Sequence, residues 1–347
     1  MQLLRQSKAA GRHHLATICH ALPTGLDIGN GAAKLVLPYQ EVRIPSYIQP
    51  VHGNLFDAPA TGGLVSYLEG NATALVGHSW LSGKAAYQRN PEGYLRVVDD
   101  RHGKLSHGLP LLLGALSTLP HRPVWELAVM ASIHHQKAMG DELVERLSGC
   151  HTVRFNGAAE PSCVRVEVLK TLDEGAGAIA HCVEADLTNQ TLVYDFGSGT
   201  TVVSVFGAKG KLVDRQVSPG GVQALIDAVA KNTTVIRRLA QEGDRQIIRE
   251  GIERGDFLYG IQGVWSFEEV YQAELKPWIS TVLKGALKVG AKWTPTSSAV
   301  IAIGGGSQLP LVQELLRQQG ILPVRDGVWA NARGLQRLAA MVLGGNR

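Results

Sequence analysis

The chain has 347 residues, of which 45% are hydrophobic and 18% are charged. This length and composition indicate a globular protein of about two domains and exclude a disordered chain. The formal net charge is +4, so the composition gives no strong case for direct nucleic-acid binding, and no apolar run approaches the roughly 20 residues that a membrane-spanning helix needs.

The N-terminal segment is basic and mildly apolar, with Arg5, Lys8 and Arg12 among its first residues. It lacks the apolar core and the small-residue cleavage site of a secretory signal. We interpret residues 1–23 as a flexible N-terminal extension. The alternatives are a short amphipathic helix, through which residues 1–20 would contact a membrane surface, and a start-site artefact.

The first predicted elements are two strands joined by a glycine-rich turn. The segment Leu26–Lys34 reads Leu-Asp-Ile-Gly-Asn-Gly-Ala-Ala-Lys, follows an apolar stretch and leads into another, Leu35–Leu37. A strand, an Asp-x-Gly-x-Gly turn and a second strand are typical of a β-hairpin.

Strand and helix patterns then alternate up to residue 170. The hydrophobic periodicity and the turn residues predict these elements in chain order: a hairpin of Val65–Leu68 and Ala74–Gly77 with its turn at Glu69–Asn71, a helix over Leu105–Leu119 ended by Pro120, a strand over Val124–Ser132, a helix over Gln136–Leu147 stopped by Gly149, and a strand over Val164–Leu169.

The second half of the chain repeats this order. It opens on another glycine-rich hairpin, Tyr194–Thr201, which reads Tyr-Asp-Phe-Gly-Ser-Gly-Thr-Thr. The elements predicted after it are a strand over Lys211–Val217, a helix opened by Pro219–Gly221 and ending at Ala230, helices across residues 235–290, a strand over Val300–Ile303 with a Gly304–Ser307 turn, a helix over Leu309–Gln319 and a last helix over Asn331–Leu343. Strands alternate with helices in both halves, which predicts the α/β class.

The cysteines carry no sign of a metal site. The chain has four of them, Cys19, Cys150, Cys163 and Cys182, with no C-x-x-C pair and no metal-ligand spacing. We interpret them as reduced thiols of a cytoplasmic protein.

The two glycine-rich turns have the composition of an anion site. Their glycines present backbone N–H groups without an obstructing Cβ, the hydroxyls of Ser198, Thr200 and Thr201 add donors, and Lys34 adds a cation. Asp27 and Asp195 would repel a bare phosphate, so we expect a hydrated Mg²⁺ between them and the phosphate. The alternative is a pair of ordinary hairpins with Asp-Gly turns.

Three segments together resemble the nucleotide-binding motifs of the actin superfamily. Asp27–Lys34 is similar to its first phosphate motif, Asp195–Thr201 to its second phosphate motif, and Ile301–Pro310 to its adenosine motif. Within the superfamily the chain most resembles bacterial and archaeal actin-like proteins of the ParM/StbA type.

Softer similarities to that type lie in three other segments. Pro219–Leu225 and Trp329–Leu335 look like segments common in ParM-type proteins, and Asp173–Ala178 resembles the segment that links their two domains.

The resemblance implies an actin-like ATPase fold of two duplicated α/β domains with a nucleotide cleft between them. Domain I would span residues 24–183, with the C-terminal helix of residues 329–347 packing back on it, and domain II would span residues 184–328. The resemblance further implies binding of ATP or GTP with Mg²⁺, slow hydrolysis, head-to-tail assembly of the chain into filaments, and a DNA-binding adaptor protein as a partner.

The residue roles are hypotheses on the same basis. Asp27 and Asp195 would hold the hydrated Mg²⁺, and Lys34 would contact the β- and γ-phosphates. Glu174 would position the attacking water, with Asp173 as the competitor for that role and with a helix N-terminal acid, favoured by the helix dipole, as the structural alternative.

The remaining expected site residues are backbone donors and small side chains near the nucleotide. They are Gly29, Asn30, Gly31 and Ala32 on one side of the phosphates, Gly197, Ser198, Gly199 and Thr200 on the other, Gly304, Gly305, Gly306 and Ser307 at the adenosine, and Gly220, Gly221 and Asp227 along the nucleoside.

One charged stretch is set apart from the site. Lys231–Arg254 contains Arg237, Arg238, Arg245 and Arg249 among several acids, and we interpret it as a solvated helical face; contact with an acidic partner is the alternative.

The leading hypothesis is a nucleotide-driven, filament-forming protein in plasmid or DNA segregation or a related cytoskeletal role. One alternative is a small-molecule kinase of the same superfamily, although Leu75–Gly149 carries no sugar-kinase signature. A second alternative is an ATP-dependent assembly factor that does not polymerise.

Overall fold

A computed structural model gives the structure of the chain. It describes residues 21–53, 55, 57–100, 102–182, 189–260 and 265–344. The extension expected over residues 1–23 lies outside these ranges except for its last three residues, and Cys19 lies outside them too. Among the described residues, no helix combines the length and the apolarity that crossing a bilayer requires.

The chain divides into two compact units. Unit 1 contains the described residues up to His181 together with those from Asn331 onward, and unit 2 contains those of Cys182–Ala330. The segment Asp173–Ala178 lies within unit 1, where Asp173 ends a strand and Ala176 begins a helix.

Unit 1 is built on a ten-stranded mixed sheet. Its strands in chain order are β1 (Leu22–Ile28), β2 (Ala32–Leu37), β3 (Gln40–Pro45), β4 (Tyr47–Val51), β5 (Leu64–Gly70), β6 (Ser79–Ser82), β7 (Leu95–Arg96), β8 (Val124–Ile133), β9 (Gly149–Phe155) and β10 (Ser162–Asp173). They lie in the order β3-β2-β1-β8-β10-β9-β5-β6-β4-β7.

The middle of this sheet positions the candidate site. Strands β1, β8 and β10 are parallel, and their register sets Asp27 opposite Ser132, which lies opposite Leu172. The carboxyl ends of the three strands therefore meet at one edge, and Asp173 follows at the same edge. Strand β8 is almost continuously apolar because its residues are buried on both faces.

The helices of unit 1 that precede unit 2 are α1 (Lys84–Arg89), α2 (Gly103–Ser106), α3 (Gly108–Leu116), α4 (Gln136–Leu147) and α5 (Ala176–His181). The predicted bounds of α4 are confirmed. The single helix predicted over Leu105–Leu119 was wrong: it is divided at His107. Pro110 explains the division, because its ring would clash with the carbonyl of Ser106 in a continuous helix.

One predicted hairpin has a different second strand. The segment Ala74–Gly77 is not a strand, since Thr73–Leu75 forms a single 3₁₀ turn, and β5 pairs instead with β6. Trp80 and Leu81 of β6 are buried, whereas Val76 is exposed. The pairing that buries the larger side chains is the one that forms.

Unit 2 is built on a five-stranded sheet. Its strands are β11 (Thr191–Phe196), β12 (Thr200–Gly207), β13 (Lys211–Pro219), β14 (Ala299–Ile303) and β15 (Leu322–Pro323), in the order β13-β12-β11-β14-β15. As with β1 in unit 1, β11 pairs with its hairpin partner on one side and with a parallel strand on the other. The two units therefore share the core of their sheet topology, and the predicted α/β class is confirmed.

The remaining helices are α6 (Val222–Lys231), α7 (Thr233–Leu239), α8 (Arg245–Arg254), α9 (Glu268–Trp278), α10 (Lys284–Gly290), α11 (Val312–Gln318) and α12 (Ala330–Gly344). Helix α11 begins later than the Leu309 predicted, because Pro310 precedes Leu311, whose φ is +71°. The helical run over residues 235–290 is interrupted at Phe257, whose φ of +55° is outside the helical region.

Cys150, Cys163 and Cys182, the cysteines that the structure describes, form no disulfide. Cys150 and Cys163 lie on the adjacent antiparallel strands β9 and β10, with their Sγ atoms 3.2 Å apart, whereas Cys182 is buried.

Candidate functional site

The turn of the first hairpin is closed by its own backbone and held by a neighbouring residue. The N–H of Gly29 donates to the carbonyl of Ala32 over 3.1 Å, and the hydroxyl of Ser46 donates to the carbonyl of Gly29 over 2.6 Å. A Cβ on Gly29 would lie 2.9 Å from the oxygen of Ala32. The sharpness of the turn therefore requires glycine at this position, while Asn30 and Gly31 lie partly exposed at the tip.

Asp27 lies at the base of this turn with donors on both carboxylate oxygens. Its Oδ2 accepts from Lys34 Nζ over 2.7 Å, and its Oδ1 accepts from Asn331 Nδ2 over 3.0 Å and from Ser132 Oγ over 3.2 Å. The structure thus pairs Asp27 with Lys34, and two neutral donors from distant parts of the chain complete the contacts of the carboxylate.

These contacts keep Asp27 ionised. Burial by itself would raise the pKa of its carboxyl, but the charge and the hydrogen bond of Lys34, the charge of Lys104 and the hydrogen bond of Asn331 outweigh it, so that the pKa lies below its ordinary value. Asp27 is only 8% exposed, so its negative charge is a fixed feature of the interior of unit 1 at neutral pH.

Glu174 lies in the turn between β10 and α5 and forms an ion pair with Lys104 of α2. Asp173, the alternative to Glu174, instead places Oδ1 at 3.5 Å from the backbone nitrogen of Gln136, at the start of α4. Sequence reasoning missed Lys104, because the segment around it carries no motif and only the folded chain brings the two residues together across 70 positions.

The C-terminal helix completes the candidate site in unit 1. Asn331 Nδ2 also donates to Ser132 Oγ over 2.8 Å, and its Oδ1 accepts from the N–H of Gly177 over 3.1 Å. Helix α12 lies so close to α5 and β1 that a Cβ on Gly334 would fall 1.7 Å from the oxygen of Gly177, and one on Gly25 would fall 2.0 Å from the oxygen of Ala332. Asn331 was within a segment singled out from the sequence, but its role at Asp27 was not foreseen.

The hairpin turn of unit 2 has the same construction as the first. The N–H of Gly197 donates to the carbonyl of Thr200 over 3.0 Å, as Gly29 does to Ala32. The start of α6 packs on this turn, because Gln223 N donates to Ser198 O over 2.8 Å. The predicted hairpins are therefore both confirmed.

Gly220 and Gly221 are constrained by the protein itself. Gly220 has a φ of +93°, and a Cβ on Gly221 would lie 2.4 Å from the oxygen of Ser198. The hydroxyl of Thr201 also donates to the carbonyl of Gly220 over 2.9 Å. The close fit between this segment and the hairpin turn accounts for both glycines without a ligand.

Helix α8 brings an arginine to the second turn. Arg249 Nη2 donates to Gln223 Oε1 over 2.5 Å and lies 3.5 Å from Ser198 Oγ. Arg245 is paired with Asp227 at 2.7 Å. The interpretation of this stretch as a solvated face fits the exposed Arg237 and Arg238, but Arg249 is half-buried beside the glycine turn.

The Gly304–Ser307 turn uses its glycines for different reasons. Gly304 has a φ of +81°, and a Cβ there would lie 2.4 Å from Asp195 Oδ1. A Cβ on Gly306 would lie 2.6 Å from the Cβ of Phe196, so its constraint is packing in the protein. At Gly305 the nearest atom to a Cβ is Val222 Cγ2 at 3.9 Å, an ordinary van der Waals distance, so a Cβ would fit there without a clash.

Ser307 is fully buried and closes the same turn. Its hydroxyl donates to the carbonyl of Gly304 over 2.8 Å and accepts from Gln308 Nε2 over 2.9 Å. The contacts of the hydroxyl are therefore structural ones within the strand-to-helix turn.

The donor chemistry of the carboxylates fits a hydrated Mg²⁺ better than a directly bound metal. No group of three or more His, Cys, Asp or Glu side chains suited to a metal occurs among the residues that the structure describes. Asp27 already accepts three hydrogen bonds. Its carboxylate therefore suits a hydrogen bond from a water bound to Mg²⁺ better than direct coordination of the ion. Mg²⁺ commonly keeps several waters and takes one or two carboxylates.

Comparison with known proteins gives a consistent result for the fold. Residues 25–177 match the family model described as the actin-like proteins N-terminal domain. The folds of solved actin-like proteins match over nearly the whole chain, and a search of curated proteins found no sequence match.

Three of these structures illustrate the similarity. An archaeal actin homologue is 18% identical with a TM-score of 0.70, covering 92% of this chain and 99% of its own. ParM of Bacillus thuringiensis with AMPPNP is 17% identical with a TM-score of 0.68, covering 93% and 99%. A 15-stranded ParM filament from Clostridium botulinum is 17% identical with a TM-score of 0.67, covering 92% and 99%.

The topology, the two glycine turns and these matches together define an actin-like fold. Residues 25–177 match the model of the actin-like proteins N-terminal domain, and the fold of the chain is similar to that of solved actin-like proteins. The similarity to ParM proteins that the motifs indicated is confirmed at the level of the fold.

Proposed function

We propose that this chain is a nucleotide-driven actin-like protein that binds ATP or GTP with Mg²⁺, hydrolyses it slowly and assembles head to tail into filaments. The observation that carries the proposal is the repeated hairpin: each unit has a glycine turn of the same hydrogen-bonded construction, and an aspartate stands two positions before the first glycine of each turn. Two equivalent anion-binding turns suit a polyphosphate ligand better than two unrelated loops do.

The similar structures support this ligand and this assembly. ParM of Bacillus thuringiensis has been solved with AMPPNP and with ADP, and ParM of Clostridium botulinum has been solved as a filament. By analogy with these proteins, we extend nucleotide binding and self-association to this chain.

The residue roles that we propose in unit 1 are those that the resemblance implies. Lys34 and the N–H groups of the turn tip would bind the β- and γ-phosphates, and Asp27 would hold Mg²⁺ through water. Bound Mg²⁺ supplies positive charge that offsets the charge on the phosphate oxygens. Glu174 would accept a hydrogen bond from the attacking water and aim it at the terminal phosphorus.

In unit 2 the turn of residues 197–200 would contact the phosphates and Asp195 would contribute to the hydrated Mg²⁺. Residues 304–307 would approach the adenosine, with Gly305 as the position whose lack of a side chain leaves room for it. Gly220, Gly221 and Asp227 would lie along the nucleoside.

The cellular role that we propose is plasmid or DNA segregation, or a related cytoskeletal task, in the cytoplasm. The chain would act on DNA through a DNA-binding adaptor protein, since its charge gives no reason to expect direct contact. Polymerisation needs head-to-tail contacts that do not close into a ring.

Sedimentation with nucleotide tests the proposal. We expect the purified chain to pellet with Mg-ATP and not with Mg-ADP, and to release inorganic phosphate. Asp195→Ala should stay folded and release none, while Asp256→Ala, which removes an aspartate paired with Arg254 outside the hairpin, should behave as the unmodified chain does. ATP hydrolysis without any pellet would instead indicate an assembly factor, and phosphate transfer to a small metabolite would indicate a kinase.

A further inference from the structure

Lys104 is an unusually buried cation for a residue outside every motif. It lies on the short helix α2, its side chain is 10% exposed, and its ammonium group pairs with the carboxylate of Glu174, whose side chain is 17% exposed. Lysine is rarely buried to this degree without a partner, because removing its charge from water is costly. The ion pair with Glu174 offsets that cost in unit 1.

Two ion pairs lie at one edge of the sheet in unit 1, since Asp27 is opposite Ser132, and Ser132 is opposite Leu172, two residues before Glu174. Lys34 pairs with Asp27, Lys104 pairs with Glu174, and the charge of Lys104 also reaches Asp27. The four charges cancel. Asp27 additionally accepts hydrogen bonds from Ser132 and Asn331. Its carboxylate therefore keeps two hydrogen-bond donors when a lysine pairs with a different anion.

We infer that Lys104 is a positioning residue that responds to phosphate. Its ammonium group pairs with Glu174 in the nucleotide-free chain and pairs instead with the terminal phosphate when a nucleoside triphosphate binds. The inference rests on the nucleotide binding proposed above. A terminal phosphate carries more negative charge than a carboxylate, and the long lysine side chain can move between the two anions.

This exchange would couple the water-positioning group to its substrate. While Lys104 is paired with Glu174, the carboxylate has a charged donor and little need of another. Once the ammonium group has moved to the phosphate, the ionised carboxylate is left to accept a hydrogen bond from water, beside the phosphorus that the water attacks. Diphosphates lack the terminal phosphate and would leave the ion pair in place.

The test is calorimetric titration of Mg-ATP and Mg-ADP into four forms of the full chain: the unmodified protein, Lys104→Met, Lys104→Met with Glu174→Gln, and Lys170→Met. The double variant removes both charges of the ion pair, which keeps the test valid when the single variant does not fold. Lys170→Met is the matched control, because Lys170 is exposed on the strand that leads to Glu174.

We expect Lys104→Met to weaken ATP binding by about tenfold or more, the loss typical of one charge-assisted hydrogen bond, and to leave ADP binding within about twofold. The loss should persist in the double variant, and Lys170→Met should bind as the unmodified chain does. The ratio of ATP to ADP affinity is the informative value, because a merely structural role of Lys104 would lower both affinities or neither.

Two results would overturn the inference while the proposed function stands. One is ATP binding by Lys104→Met equal to that of the unmodified chain. The other is recovery of the ATP preference in the double variant, which would make Lys104 a structural counter-ion of Glu174 alone. Failure of the unmodified chain to bind either nucleotide is distinct, because it would remove the proposed function itself.

Discussion

Asn331, near the start of the last helix, donates a hydrogen bond to Asp27 over 3.0 Å, although 304 positions separate the two residues in the chain. The same amide group contacts Ser132 and Gly177. One side chain therefore ties α12 to the ends of β1 and β8 and to the start of α5. The C-terminal helix therefore contributes a side chain to the candidate site in unit 1.

Replacement of Asn331 by alanine should destabilise unit 1. It would leave the carboxylate of Asp27 and the backbone N–H of Gly177 without this partner, and such losses cost about 1–3 kcal/mol of the free energy of unfolding. Urea unfolding of the variant measures the change. Met341→Ala, at a 64% exposed position of the same helix, is the control and should stay within about 0.5 kcal/mol. Equal stability of the two variants would contradict the role of Asn331.

The contact of α12 with α5 predicts opposite effects for two glycine-to-alanine changes in one helix. A Cβ on Gly334 would lie 1.7 Å from the oxygen of Gly177, whereas nothing lies within 4 Å of a Cβ on Gly344. Gly334→Ala should lower the free energy of unfolding by about 3 kcal/mol, as severe overpacking does. Gly344→Ala should be neutral or stabilising by up to about 1 kcal/mol, since alanine favours helix. A tolerated Gly334→Ala, seen as an unchanged melting temperature, would be inconsistent with this packing.

Because Asp27 is held ionised, we can predict how the free energy of unfolding depends on pH. Its pKa in the folded chain is held below the ordinary value, chiefly by Lys34 acting against burial. The carboxylate therefore contributes stability that is complete above the unfolded-state pKa of about 3.9 and is lost as the pH falls through the lower folded-state pKa. Asp27→Asn should cost about 3 kcal/mol of the free energy of unfolding at pH 7, the lower end of the range for breaking a buried pair, because Lys34 is partly exposed.

Urea unfolding of the unmodified chain and of Asp27→Asn between pH 7 and pH 3 checks this expectation. The difference between the two should shrink as the pH falls below about 4. Asp141→Asn, at an exposed position of α4, shows what the loss of a surface carboxylate does. A difference that stays constant down to pH 3 would show that Asp27 is not held ionised by its partners.

Alanine substitutions of Gly305 and Gly306 distinguish a glycine that contacts a ligand from a glycine that protein packing requires. Gly305 is not among the glycines with a positive φ, and a Cβ there would meet no clash within the chain, so Gly305→Ala should change stability by less than about 0.5 kcal/mol. The same change should weaken adenine-nucleotide binding by about tenfold or more where the nucleoside lies against Gly305. Unchanged affinity would remove Gly305 from the site. Gly306→Ala is the counterpart, because its Cβ would clash with Phe196 and should cost about 1–3 kcal/mol of stability.

The parts of the fold that depend on neighbouring residues were predictable from the sequence. Both glycine turns close with hydrogen bonds across three residues, and α4 begins and ends where its periodicity and stop signal indicate. The strand partner of β5 was predicted wrongly, because Ala74–Gly77 and Ser79–Ser82 carry similar apolar patterns and only packing of Trp80 chooses between them.

The parts of the site that depend on distant residues were not predictable. Lys104 reaches Glu174 across 70 positions, and neither α2 nor its flanking segment has a distinctive sequence. In the sequence, Arg249 is one of several charged residues of both signs on a predicted helix. Its position beside Ser198 follows from how α8 packs in unit 2. Hydrophobic periodicity indicates which face of a helix or strand is buried, but it does not indicate which distant residues that face contacts.

Nucleotide binding is the claim from which the other assignments follow, and calorimetric titration of the full chain with Mg-ATP and Mg-GTP tests it most directly. We predict saturable heat for at least one of the two, fitting one nucleotide per chain, with the signal weakened when Mg²⁺ is chelated. Absence of heat with both nucleotides, at a chain concentration where circular dichroism shows the protein folded, would contradict the account.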